Sequence, residues 1–315
     1  MLRKVSMTLM AVGMVSVLFL SGCGPSANLS LKFSPEDTTT YKATTEVIKD
    51  YRFEQPNLNK LREEQTRTLI GMEFAQTIQS VDENGNATAQ ITVKQLKVDI
   101  TNKNESQLSF DSQNGKDKNA PMAKLLGQSY TIEITPAGQV KALDTKDALA
   151  AVTSVYEKKI AKGILAPKAI ADRHGIAALP KDEARKLSVK SSWSEVVPSP
   201  KGLLAPKSYE KTYTLTKIKN NIATVQMAAG ESAEPVKGDS QTSAGMGMFA
   251  KMFDNKDDYT GSMQIDLGTG QVLKSEETLI SSYVAQEMPE SGDPEKGPDT
   301  LTMRFTNRIQ LEKLN

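Results

Sequence analysis

The chain has 315 residues, with 39 Lys plus Arg against 38 Asp plus Glu, one His, one Cys and 5% aromatic residues. That inventory excludes a Cys/His zinc site, a two-histidine metalloprotease helix and a Cys-His nucleophile pair, since each needs more of those residue types. The balanced charge offers no basic stripe for a nucleic-acid partner, and no Gly-x-Ser-x-Gly elbow or Gly-x-x-x-x-Gly-Lys loop occurs.

Residues 1–22 have the three parts of an export signal: basic Arg3 and Lys4, an apolar run from Val5 to Leu20, and small residues before a cut. The run of 16 residues falls short of the roughly 20 that a membrane-spanning helix needs, so it is expected to be cleaved. The segment Leu20-Ser21-Gly22-Cys23 resembles the lipobox of bacterial lipoprotein precursors. The resemblance covers residues 1 to 23 and implies that Cys23 is the lipidation site, carrying a diacylglyceryl group and, on its freed amine, an acyl chain such as palmitate. It also implies a protein held at the cell envelope, with the membrane as its first partner, because two or more acyl chains anchor stably where one does not. In enterobacterial members of that family an aspartate after the cysteine retains the protein at the inner membrane. Gly24 stands there in this chain, which implies the outer membrane, facing the periplasm, in a host with two membranes. Cleavage removes Arg3 and Lys4 and leaves 37 basic against 38 acidic residues.

Beyond a lipidated tether over 23–30, the pattern predicts a first β half over 31–144, a helical insertion over 145–190 and a second β half over 191–315. Strands are predicted where apolar and polar residues alternate, as at Tyr130, Ile132 and Ile134, or Met263, Ile265 and Leu267. Further strands are read over Tyr41 to Phe53, Thr66 to Val81, Ala87 to Ile100, Tyr209 to Ile218, Ile222 to Met227, Val272 to Val284 and Leu301 to Leu314. Asp82-Glu83-Asn84-Gly85-Asn86 has the spacing of a calcium loop only superficially. A hairpin turn accounts for Asn84-Gly85 better, and no metal or other cofactor is expected.

Two regions look like copies. Met122-Ala123-Lys124-Leu125-Leu126 precedes Tyr130-Thr131 and then Gly138-Gln139-Val140, while Phe249-Ala250-Lys251-Met252-Phe253 precedes Tyr259-Thr260 and then Gly270-Gln271-Val272. Each follows a polar linker, Asn102 to Ala120 or Gly230 to Gly247, so an internal duplication is expected. The apolar segments, with Met122, Leu125, Leu126, Met248, Phe249, Met252 and Phe253 as candidate ligand-contacting residues, are either lids over an apolar pocket or plugs of the core. The methionine cluster from Met246 to Met252 has no nearby His or free Cys to complete a copper site.

The helical insertion is expected to begin with one helix capped by Asp144, with Leu149, Val152, Tyr156 and Ile160 on one face and Gly163 at its stop. Shorter helices are expected from Pro167 and Pro180. His174 is expected at a helix end as a cationic cap of the last carbonyls, Trp193 as a core or interface anchor, and Glu231 to Gly245 and Pro289 to Asp299 as mobile loops. The fold class is therefore mainly β (α+β), an antiparallel sheet or curved half-barrel from two duplicated halves with a helical insertion between them. At the level of architecture this is similar to the lipid-carrying half-barrels of bacterial lipoprotein transport, in which helices cover a concave sheet face. The expected function is that of a non-enzymatic envelope lipoprotein binding an apolar ligand such as a lipid, or an envelope protein partner. A scaffolding lipoprotein and a carboxylate-dependent hydrolase are the alternatives.

Overall fold

The computed structural model describes residues 25–182, 186–200, 202–204, 207–234, 252–289 and 292–314. Its strands are β1 (Ser26–Ala27), β2 (Thr38–Gln55), β3 (Lys60–Val81), β4 (Ala87–Asn102), β5 (Glu105–Asp111), β6 (Ser129–Ile134), β7 (Val140–Asp144), β8 (Leu187–Ser188), β9 (Ser192–Pro198), β10 (Ser208–Lys219), β11 (Ile222–Ser232), β12 (Asp254–Asp266), β13 (Gln271–Glu287) and β14 (Asp299–Lys313). Twelve of them form one unclosed antiparallel sheet in the order β7-β6-β4-β3-β2-β14-β13-β12-β11-β10-β9, with β5 also pairing with β4. Each half is a meander, and they join where the first long strand, β2, meets the last, β14, in register from Thr300↔Glu54 to Lys313↔Tyr41. On the outer face of this seam Glu46 binds two cations, Arg67 from β3 at 2.7 Å and Arg308 from β14 at 2.7 Å.

Every predicted strand is present, because alternation lets one face bury apolar side chains while the other stays wet. Along β4 the alternating Ala87, Ala89, Ile91 and Val93 are at most 1% exposed. Asp82 fastens the β3–β4 turn by accepting hydrogen bonds from Asn84 N, Asn86 N and Asn86 Nδ2 at 2.8 to 2.9 Å, so its carboxylate is used within the hairpin. Five strands have no counterpart among the sequence expectations: the two-residue β1 and β8, the short β7, and β5 and β9. β5 lies inside the stretch read as a polar linker, where only Leu108 and Phe110 alternate inward, and β9 is a serine-rich edge strand that ends in proline.

The inner face carries the core and is strongly curved in the second half. Lys211 on β10 reaches Glu277 on β13 at 2.7 Å. Three strand spacings of about 4.8 Å would separate them in a flat sheet, so the sheet must curl to bring them together. Lys211 pairs with Ala229 and Glu277 with Gly261, so a small residue stands beside each partner on the neighbouring strand. A Cβ on Gly261 would meet Glu276 O at 2.7 Å and Glu277 Cγ at 3.2 Å.

The insertion packs on that inner face as α1 (Lys146–Ala151), α2 (Val155–Ile164) and α3 (Pro167–His174). The single helix expected from Asp144 is instead two. Thr145 and Ser154 stand at the two N-caps, with Ser154 Oγ accepting from Glu157 N, and Val152, fully buried, sits in the break. Gly163 lies inside α2 rather than stopping it. The helix at Pro167 forms as expected, whereas Pro180 to Asp182 are not helical and residues 183–185 lie outside the described set.

The described part of the expected tether is packed into the body. Ser26 and Ala27 pair with Ser188 and Leu187, Leu29 is fully buried, Leu31 N donates to Pro136 O, and Lys32 N donates to Gly270 O. The described part of the loop expected over Pro289 to Asp299 is likewise held, because Asn57 accepts from Asp293 N at 2.7 Å and donates to Gly297 O at 3.2 Å.

The proposed copies correspond to the β6–β7 and β12–β13 hairpins. Both turn through a glycine at positive φ, 75° at Gly138 and 67° at Gly270, and another segment presses on each. A Cβ would meet Ile176 O at 2.7 Å in the first and Lys32 N at 2.5 Å in the second. The strands differ in length, 6 and 5 residues against 13 and 17.

Candidate functional site

The two apolar segments have different fates. Met122 and Leu125 lie in a short 3-10 helix, Pro121–Leu125, and are 0% and 1% exposed, with Leu126 partly buried against the core. They are plugs. In the second segment Met248 and Phe249 lie outside the described residues, Met252 is 68% exposed, and Phe253 is buried.

Met252 and Phe253 line a groove of about 490 Å³ together with Phe53, Ala285, Gln286, Glu287, Pro289, Asp299 and Leu301. The register explains this grouping, because Phe53 pairs with Leu301 and Leu301 with Ala285, which puts all three on the inner face at the end of β2, β14 and β13. Four large apolar side chains exposed by 47% or more, Leu58, Leu61, Met252 and Met288, flank these same strand ends. The volume and apolar lining suit a small-molecule site, which typically occupies roughly 300–1,000 Å³ with a few polar groups. At its polar end Asp299 Oδ2 accepts from Gln55 Nε2 at 2.8 Å, while the buried Oδ1 has no hydrogen-bond partner.

A second cleft, of about 300 Å³, lies between α3 and the inner face and includes Arg173, Lys181, Glu195, Lys211 and Glu277. Here Lys181 pairs with Glu195 and Lys211 with Glu277. Burial works against the Lys211 ammonium, but the Glu277 carboxylate and Tyr259 outweigh it and raise the Lys211 pKa above its ordinary value. Tyr259 donates to Glu277 at 3.1 Å, Tyr213 to Glu195 at 3.1 Å, and Tyr209 to Asp257 at 2.9 Å. Arg173 donates to Ile164 O at 2.8 Å, placing its charge at the negative end of α2. Ser208-Tyr209-Glu210-Lys211 has the Ser-x-x-Lys spacing of some acyl-transfer enzymes. On strand β10 these ends point to opposite faces, so the serine and lysine do not meet.

His174 does end α3, but not as a cationic cap. It is 5% exposed, shares a 2.7 Å hydrogen bond with the Tyr130 hydroxyl, and packs edge-on against Phe74 at 4.6 Å. Burial, reinforced by the neighbouring Arg173 charge, holds its pKa well below the ordinary 6.5. The folded protein therefore keeps a neutral imidazole, while the unfolded chain takes up a proton as pH falls below 6.5. The stability from this difference is present above that pH and is lost below it, by up to about 1.4 kcal/mol per pH unit. Urea unfolding at pH 7.5 and 5.5 should show a larger loss for wild type than for His174→Gln, and equal losses would contradict the assignment. Trp193 stacks on Tyr213 at 5.9 Å and is partly buried in the core.

A model of a family of unknown function, DUF6263, matches residues 84–164, from the β3–β4 turn through α2. No curated protein sequence matches significantly. A solved structure described as "Lipid-protein interactions in lipovitellin" is similar with a TM-score of 0.43 and 12% identity, over 90% of this chain and 26% of that one. The present chain thus spans about a quarter of the length of that relative.

Proposed function

We propose that this protein is a non-enzymatic, lipid-anchored envelope lipoprotein that binds an apolar ligand, of the acyl-chain kind, in the groove at the end of β2, β13 and β14. The observation that carries the reading is the groove itself, about 490 Å³ and lined by Phe53, Met252, Phe253, Ala285, Pro289 and Leu301. Cys23 in its lipobox setting supports the anchor, and Gly24 after it supports the outer membrane in a host with two membranes. The non-enzymatic reading is supported by the carboxylates of the inner face, since Glu195, Asp257 and Glu277 are each held by tyrosine and lysine partners.

The geometry gives the reading a direction. The N-terminal segment is fastened at the β12–β13 turn, where Lys32 N meets Gly270 O, and Ala285 of the groove lies 15 residues further along the same chain. At about 3.3 Å per residue that is about 50 Å. A lipid on Cys23 would hold the near end at its membrane while the groove opens at the far end.

The test has two arms. A Cys23→Ser variant should lose acyl labelling and leave the membrane fraction, and continued membrane association without acylation would refute the anchor. The released full-length variant should bind a fluorescent fatty-acyl probe, and Leu301→Asp should weaken that binding about tenfold or more by placing a carboxylate among the apolar walls. Wild-type binding that Leu301→Asp leaves unchanged would refute the groove as the site.

A further inference from the structure

The groove is apolar along its walls and acidic at one end. Glu287 on β13 pairs directly with Asp299 on β14, and both line the groove. Like charges placed opposite one another in a ladder repel unless a cation lies between them. Among the described residues neither carboxylate makes an ion pair. The nearby guanidinium of Arg62, opposite Phe53, is held by Glu64 instead. Asp299 Oδ2 is satisfied by Gln55, but its Oδ1 is buried and has no donor. A buried carboxylate oxygen without a donor gives up hydration with no hydrogen bond in return. The rings of Phe53 and Phe253 also line the groove, and aromatic faces attract cations.

Resting on the groove reading above, we infer that the ligand is a cationic amphiphile, an alkyl chain ending in an ammonium group. The chain lies against Phe53, Ala285, Phe253 and Leu301. The ammonium sits between Asp299 and Glu287 and relieves the repulsion across the ladder. A fatty-acid carboxylate placed there would instead meet two like charges, and an uncharged alcohol would gain only the apolar contacts.

The experiment compares dodecylamine, dodecanol and dodecanoate, each below its micellar concentration, as competitors of a fluorescent alkyl probe on the full-length Cys23→Ser protein. Dodecylamine should bind at least about tenfold more tightly than dodecanol, and dodecanoate more weakly than either. Asp299→Asn should bring dodecylamine to within about threefold of dodecanol. Glu287→Gln, at an exposed position, should have a smaller effect of the same sign. Equal binding of all three probes would overturn the cationic inference and leave the apolar groove standing. Tighter binding of dodecanoate would overturn it too, and binding of none would overturn both readings. If Asp299→Asn fails to fold, the Glu287→Gln variant and the ranking of the three wild-type affinities still decide the question.

Discussion

Replacing Glu277 with alanine should lower the stability of the protein by about 3 kcal/mol, measured by urea unfolding at neutral pH. The effect is large because the side chain left behind is Lys211, whose own side chain is only 7% exposed. The ammonium would lose its 2.7 Å carboxylate partner and keep only the neutral Tyr259, whose ring centre lies 5.0 Å away. The Tyr259 hydroxyl would lose its acceptor as well. Breaking one member of a buried pair costs far more than the pair contributes, because the remaining charge has neither solvent nor counter-charge. A double replacement, Lys211→Met with Glu277→Leu, should therefore recover most of the loss, since two apolar side chains of similar size need no compensation. A single Glu277→Ala costing under about 1 kcal/mol would mean that water from the adjoining cleft solvates Lys211, and the buried-pair description would be wrong.

The second large effect separates the plug from the groove. Leu125→Ala should cost about 3 kcal/mol, the middle of the range for truncating a buried leucine, because the 1% exposed side chain is enclosed and the cavity left behind cannot collapse fully. Met252→Ala should change stability by less than about 0.5 kcal/mol, as expected for a side chain 68% exposed. The same Met252 change should weaken probe binding, while Leu125→Ala should leave it intact in the folded fraction. Thermal unfolding and probe titration on the two variants check both halves of the statement. Matching stability losses would contradict the separate roles drawn from their burial.

Much of this division lies beyond the reach of the sequence, and the reasons are physical. Strand identity was legible because alternation is a local property: Tyr130, Ile132 and Ile134 point inward whatever β6 pairs with. The division of the helical insertion was less so, because hydrophobic spacing runs on through the α1–α2 break at Val152 to Ser154. The groove was hidden for a stronger reason. Phe53, Ala285 and Leu301 become neighbours only through the pairing of β2 with β14 and of β14 with β13, and nothing local in any of the three strands records it. Met252 and Phe253 stood out by composition, yet so did Met122 and Leu125, and only burial tells a wall of an open groove from a stopper of the core. His174 shows the opposite error. Its place at a helix end was correctly read, but its protonation state follows from Tyr130, Phe74 and Arg173, two of which come from other elements.

The seam between β2 and β14 also sets the order in which this molecule can be assembled. Partners such as Tyr41 and Lys313 are separated by nearly the whole described chain, so this junction closes a loop of very high contact order. Until β14 exists, the first meander ends in an unpaired strand of 18 residues, β2, whose amides and carbonyls have only one neighbour. Long open edges of this kind recruit other chains. A fragment ending before Asp299 would carry two such edges, β2 and β13, and is expected to aggregate, whereas the complete chain conceals both in one step with its final strand.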